Sequence, residues 1–331
     1  MRDADLFEGA RGGGRLPQVA MLQAQSAGSG FYLCMRKDMR TGRNGGEFLA
    51  IVLQDISGEI AGKVFNEVDT LKHEFEAGEF VKIQGRGSVY NQRLELVIDK
   101  IRRVHGQRDA LDGFREEDCI PCAPRSLDEM WQELEAHIAR VSSPAVRELL
   151  TRIVAANAER YRIWPAAQTV HHAYRGGLLE HVLKIIDTVV FLADAYGANR
   201  DVLVAGAILH DIGKLEELSY GVTTEYSVEG NLIGHITIGA GVVRDTAREI
   251  PDFPHDLLVQ IEHLVLSHHG GKAMGSPVDP MTVEAFILAA ADDLDAKIHQ
   301  VRKHIEADDS DGPFTAFHRR LERVLYKPPR P

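Results

Sequence analysis

Ile208-Leu209-His210-Asp211-Ile212-Gly213-Lys214 sets an imidazole beside a carboxylate, between apolar residues, at the end of a helical stretch starting near Asp201. Burying that pair without a partner would be costly, and a bound cation removes the cost. Other segments carry matching groups. His181 lies in Gly177-Leu178-Leu179-Glu180-His181-Val182 and borders the apolar stripe of Leu178, Val182, Ile185, Val189 and Leu192. His235 opens a helix after Gly234, His268-His269 ends one before Gly270-Gly271, and Asp292 sits in Ala290-Ala291-Asp292-Asp293-Leu294-Asp295. Each histidine alone reads equally well as a core or surface residue with a satisfied hydrogen bond. Together, the order H, HD, H, H, D on consecutive helices points to a metal site. Imidazole and carboxylate without thiolate suit Mn²⁺, Fe²⁺, Mg²⁺ or Zn²⁺.

Around these motifs the chain reads as helix throughout residues 126–331, and 13 of the 15 histidines fall there. Ser126 with Glu129 makes a capping box ahead of Met130, Trp131, Leu134 and Ile138, and Pro144 suits a first helical position. Further helices are expected at Arg147–Arg160, Leu178–Tyr196, Asp201–Asp211, His235–Arg248, Leu257–Ser267, Val283–His304 and Phe314–Tyr326.

Ahead of them, residues 16–105 alternate with period two between turn signals. Strands are expected at Phe31–Asp38, Glu47–Gln54, Glu59–Phe65, Phe80–Tyr90 and Arg93–Val104, with a short helix near Asp69–Glu76. Five strands with a helix between the third and fourth is the OB plan, and Gly85 and Gly87 supply bends for barrel closure. Residues 106–125 carry charges and two prolines without periodicity and read as a linker, and residues 1–15 as a flexible start.

At 331 residues the chain suits two cores, and 44% apolar with 26% charged residues is globular composition. No stretch has signal-peptide character or approaches membrane-spanning length. Cys34, Cys119 and Cys122 are too sparse for a disulfide framework and fit the cytoplasm; Cys119 and Cys122 lack a second pair for zinc and read as incidental. A net charge of −11 excludes a general nucleic-acid coat protein. That charge is uneven, since Leu16 to His105 holds 12 Lys plus Arg against 11 Asp plus Glu.

His181, His210-Asp211 and Asp292 resemble the ligand pattern of the HD superfamily of phosphohydrolases, and His235 with His268 or His269 resembles the extra ligands of its binuclear members. With an OB-like front, His171-His172-Ala173-Tyr174, Glu229-Gly230 before Gly234-His235, Leu294-Asp295-Ala296-Lys297 and the tail Gly312-Pro313-Phe314-Thr315, the chain is similar to the YhaM-type 3′→5′ exoribonucleases. Extra front-end residues and the loop Thr41–Gly46 depart from that family's pattern. The resemblance implies a multidomain protein, an N-terminal all-β OB-type barrel followed by an all-α HD domain, and metal-dependent release of nucleoside 5′-monophosphates.

On that reading His181, His210, Asp211 and Asp292 hold one ion, Mn²⁺ (manganese) before Fe²⁺, Mg²⁺ or Zn²⁺, and His235 with His268 a second, with Asp211 bridging. A water activated between such ions, and a phosphodiester clamped by them, is the chemistry this set implies. Asp211 and Lys214 are the catalytic candidates; Lys214, His171 and His172 are candidates for phosphate contact. In the barrel, Lys63, Arg86 and Arg93, with Arg36 and Lys37, would track single-stranded RNA, or single-stranded DNA, while one or two of Phe31, Tyr32, Phe65 and Tyr90 stack bases. A homo-oligomer is compatible. The alternative is an enzyme of small or cyclic nucleotides whose barrel regulates or oligomerises; an inactive binding protein is disfavoured by the intact ligand set.

Overall fold

The alternating front half forms five strands, β1 (Ala27–Thr41), β2 (Glu47–Asp55), β3 (Gly58–Val64), β4 (Phe80–Tyr90) and β5 (Arg93–Arg103), with the short helix α1 (Val68–Leu71) between β3 and β4. The computed structural model describes residues 14–42, 45–91, 93–167, 174–220, 224–308 and 310–328. The strands close into a barrel in the order β1-β2-β3-β5-β4, with β3 and β5 parallel and the other pairs antiparallel. Inward positions, among them Leu49, Ile51, Leu53, Val81, Ile83, Leu96 and Ile98, are fully buried, and Phe75 joins them beside α1. Closure needs backbones to meet: the β4–β5 register shifts at Gln84/Gly85, where a Cβ on Gly85 would lie 2.6 Å from the Val97 carbonyl oxygen.

A second unit begins at Ala123. Its helices are α3 (Leu127–Ala139), α4 (Pro144–Ala156), α5 (Ala158–Ile163), α6 (Gly177–Tyr196), α7 (Arg200–Leu209), α8 (Lys214–Glu217), α9 (Val228–Leu232), α10 (His235–Arg248), α11 (His255–Ser267) and α12 (Val283–Glu306). The capping chemistry holds, since Ser126 accepts a hydrogen bond from Glu129 N–H and Pro144 starts α4 behind Ser143. Helices α6 and α7 carry the core, with Leu178, Val182, Ile185, Leu203, Ala207 and Ile208 all buried. A two-stranded hairpin, β6 (Leu218–Tyr220) with β7 (Thr224–Tyr226), interrupts the helical pattern.

The expected helix at Phe314–Tyr326 does not form. Instead this segment turns back on itself, with bridges between Phe314 and Tyr326 and between His318 and Arg323, and Glu322 takes a left-handed φ of 52°. Side chains outbid the helix for its backbone groups: Asp308 accepts from Ala316 N–H at 2.7 Å and pairs with Lys327 at 2.9 Å, while Thr315 Oγ1 accepts from Leu325 N–H at 3.1 Å.

The stretch read as a linker carries structure of its own, and residues up to Cys122 fall in the barrel's unit. Helix α2 (Gly106–Leu111) turns Asp109 inward, where both its oxygens accept from Arg102 at 2.7 Å and Lys82 lies 3.6 Å away. Phe114 packs against Phe31 and Phe80, each at 5.4 Å between ring centres. No apolar period marks the segment because a charge and one ring, not a stripe, hold it down. Burial alone would raise the Asp109 carboxyl, but Arg102 and the His105 N–H outweigh it and hold it at about 2. Its stabilisation is therefore complete above the ordinary carboxylate pKa of roughly 4 and is lost as pH falls through about 2. Asp109→Ala strands a buried guanidinium and is expected to cost the barrel about 3 to 5 kcal/mol at neutral pH, measured by denaturant unfolding, with a smaller difference at pH 2.

Candidate metal centre

The five helices α6, α7, α10, α11 and α12 each bring one end or one turn to a common point. His181 comes from the second turn of α6; His210 and Asp211 follow the last residue of α7. His235 is the first residue of α10, His268 and His269 follow α11, and Asp292 lies midway along α12. Helix α5 and the residue after it hold the backbone around the His-Asp step, because Tyr161 Oη donates to Ile208 O at 2.8 Å and Trp164 Nε1 to Lys214 O at 2.9 Å. Gly213 completes the arrangement: a Cβ there would sit 2.0 Å from the His235 carbonyl oxygen, so only glycine lets the start of α10 close on Asp211.

Asp211 is 2% exposed, and its two oxygens face different ways. Oδ2 lies 3.3 Å from His210 Nε2 and 3.8 Å from His181 Nε2, and these nitrogens are 3.2 Å apart; His181 Nε2 is also 3.2 Å from Asp292 Oδ1. Oδ1 lies 3.6 Å from His235 Nε2 and 3.7 Å from His268 Nε2. Ligand atoms of His181, His210 and Asp292 all fall within 4.8 Å of one another, as do those of His235, His268 and His269.

These donors fit divalent ions. His210 Nδ1 donates to Ala207 O at 2.9 Å and His268 Nδ1 to Val265 O at 2.7 Å, so both rings present a bare Nε2 inward. Asp211 Oδ1, His235 Nε2 and His268 Nε2 are buried with no hydrogen-bond partner among the described residues. Three orphaned acceptor positions around one point are costly unless a cation fills them.

Electrostatics follow from burial and neighbours. Burial favours protonated Asp211, yet Lys214 and His210 outweigh it and hold the carboxyl well below its usual range. The Lys214 ammonium donates to Asp211 Oδ2 at 2.6 Å. Burial lowers His268 strongly, with His210 adding to the effect, and burial also lowers His269. His181 is the exception: burial pulls it down, but Asp292 and Asp295 raise it to about 9.

Every sequence-selected residue of the H, HD, H, H, D pattern therefore converges, and Lys214 with it. His171 and His172 lie outside the described residues. Lys63, Arg86 and Arg93 belong to the barrel unit. There Lys63 pairs with Glu95 at 2.7 Å and Arg86 with Asp99 at 3.2 Å, while Arg93 is exposed. Arg36 pairs with Asp38, and Lys37 is committed inward to the Lys72 and Phe75 carbonyls. Tyr32 is 2% exposed and Phe31 packs on Phe114, which leaves Phe65 and Tyr90, both about half exposed at 53% and 50%. Two residues escaped the sequence reading as parts of the site. Glu217 Oε1 accepts from His235 Nδ1 at 2.8 Å, and Asp295 Oδ2 from His181 Nδ1 at 2.8 Å. The i, i+3 spacing of Asp295 from Asp292 on one helix face was a usable signal; nothing local ties Glu217 to a histidine 18 residues on.

The chain loaded with Mn²⁺ should carry about two ions by elemental analysis, His268→Ala about one, and Asp211→Ala fewer than one, because among the described residues Asp211 turns one oxygen to each cluster. Equal metal content in all three would refute the two-cluster assignment.

Residues 178–297 match the HD domain family, and residues 34–104 match the OB-fold nucleic acid binding domain family. The chain is similar to the 3′-5′ exoribonuclease YhaM of Bacillus subtilis, with 35% identity over 86% of this chain and 90% of that one. It is also similar to the enzyme of the same name from Bacillus velezensis, at 36% identity over 86% and 90%, and from Halalkalibacterium halodurans, at 32% over 94% and 96%. An OB barrel joined to a divalent-metal HD domain, aligned with these relatives over nearly the whole length, places the chain in the YhaM family of 3′-5′ exoribonucleases.

Proposed function

We propose that this chain shortens single-stranded RNA from its 3′ end, releasing nucleoside 5′-monophosphates, with residues 126–331 cutting and residues 16–105 recruiting the strand. The observation that carries the reading is Asp211, whose two oxygens face two separate histidine clusters, as a two-ion phosphodiester hydrolysis requires. His181, His210, Asp292 and Asp211 Oδ2 would hold one ion; His235, His268 and Asp211 Oδ1 the other, with His269 close enough to join. Mn²⁺ suits this mixture of imidazole and carboxylate. Ions held there would supply an activated water and neutralise charge on the phosphoryl oxygens.

Lys214 contributes a fixed ammonium beside Asp211, since burial disfavours its charge but Asp211 keeps it protonated. That charge would meet a phosphate oxygen, and His171 and His172, which precede α6 in sequence, would share the task. Free Cys34, Cys119 and Cys122, the first two buried, support a reducing compartment, the cytoplasm; among the described residues no helix is long and apolar enough to cross a membrane.

Capture of the strand falls to one outer face of the barrel. Phe65 contacts Phe48 at 5.5 Å, and Lys63 lies over the Tyr90 ring at 4.3 Å. Because Lys63 and Arg86 are already paired with carboxylates, stacking on Phe65 and Tyr90 supplies most of the grip, with Arg93 adding charge.

Incubation of Mn²⁺-loaded protein with 5′-end-labelled single-stranded RNA, DNA and a cyclic dinucleotide should give a descending ladder on RNA. Turnover of the cyclic dinucleotide alone would replace the RNA reading with a small-nucleotide one. Removing two stacked bases costs roughly 2 kcal/mol or more, so the double variant Phe65→Ala, Tyr90→Ala is expected to raise KM for long RNA about 30-fold with kcat nearly unchanged. An unaltered KM would remove the barrel face from substrate capture.

A further inference from the structure

We infer that Glu217 and Asp295 are positioning residues, one for each cluster, each holding one imidazole in register and raising its strength as a donor. The inference rests on the two-ion reading above. His181, His210, His235 and His268 each engage Nδ1 behind the ring, and among these four the backing follows one rule in both clusters. In the first, His210 is backed by the Ala207 carbonyl at 2.9 Å and His181 by the Asp295 carboxylate at 2.8 Å. In the second, His268 is backed by the Val265 carbonyl at 2.7 Å and His235 by the Glu217 carboxylate at 2.8 Å. Of these four rings, each cluster thus has one held by a neutral acceptor and one held by an anion, with His269 beside the second pair.

The difference matters chemically. A carbonyl fixes tautomer and orientation, whereas a carboxylate also pushes electron density through the ring and makes Nε2 a better ligand. Glu217 does a second job with the same oxygen, accepting the His235 backbone N–H at 3.0 Å, so the ring and the first turn of α10 are set together. Both carboxylates are shielded from water, with Glu217 and Asp295 side chains 10% and 15% exposed, which preserves their influence. Neither belongs to the groups His181, His210, Asp292 and His235, His268, His269 whose ligand atoms converge.

The test is Mn²⁺ titration of the full-length chain, with free ion followed by electron paramagnetic resonance, for Glu217→Gln and Asp295→Asn. Both amides can still accept the Nδ1 hydrogen but carry no charge. Each variant is expected to raise one of the two Mn²⁺ dissociation constants by about 10- to 100-fold and leave the other unchanged. In a His268→Ala background, which retains the first cluster, Asp295→Asn should weaken the remaining ion by that factor and Glu217→Gln should not. Two ions in the wild type with neither constant altered would overturn the positioning roles while leaving the two-ion reading intact. So would a lowered melting temperature of the metal-free variants without any change in Mn²⁺ affinity. Equal weakening of the remaining ion by both variants would overturn the one-per-cluster pairing. A wild-type chain binding a single ion would refute the two-ion reading and this pairing with it.

Discussion

A carboxylate that water cannot reach governs the helical half of this protein. Asp211 is buried among His181, His210, His235 and His268, and one ammonium cannot satisfy both of its oxygens. An isolated ionised carboxylate in such a place would cost far more than a domain's net stability, so the surroundings must hold positive charge in register. That requirement explains why the backbone near the His-Asp step is tied down so thoroughly. Tyr161 in α5 and Trp164 just after it clamp it, and Gly213 lets α10 approach to a distance no side chain would tolerate. Rigid packing here is what keeps five helix segments aimed at one point.

The barrel obeys different physics. Its strands are specified by alternation, its closure by a register shift at Gly85, and its surface is close to electrically neutral, with Lys63 and Arg86 paired to Glu95 and Asp99. A near-neutral face gives little counterion release, so on the proposed function the strand is held by ring faces, which accept any base. Such capture is indifferent to sequence, which suits an enzyme that must accept each successive 3′ end.

Much of this was legible in the sequence because it rests on short-range rules. Five strands, the cap at Ser126, the helix start at Pro144, and helix α10 from His235 to Arg248 follow from period and capping alone. The converging ligands were legible because each sits at a helix end or on a buried stripe, where an imidazole is conspicuous. Other features depend on partners distant in sequence or on side chains competing for backbone. Phe314–Tyr326 has helical periodicity, but Asp308, Thr315 and Lys327 hold it in a folded-back form. The stretch after residue 105 looked structureless because Asp109 and Phe114 dock singly. Glu217 stayed hidden because its link to His235 appears only once α8 and α10 meet.

Sharing one carboxylate between two clusters makes them unequal. On the proposed assignment the first cluster adds a second carboxylate, Asp292, to His181 and His210, whereas the second offers His235, His268 and the adjacent His269 with no further anion. Oxygen-rich sets favour hard ions and imidazole-rich sets softer ones, so the two positions do not rank divalent metals alike. Lys214 sharpens the contrast, because its ammonium occupies Asp211 Oδ2, the oxygen turned toward the first cluster, and draws charge from it. Asp292 restores what Lys214 withdraws there. Near Oδ1, among the described residues, the anionic backing of His235 by Glu217 adds negative charge behind the second position. The carboxylates behind the rings are therefore as much a part of the centre's charge balance as those within it.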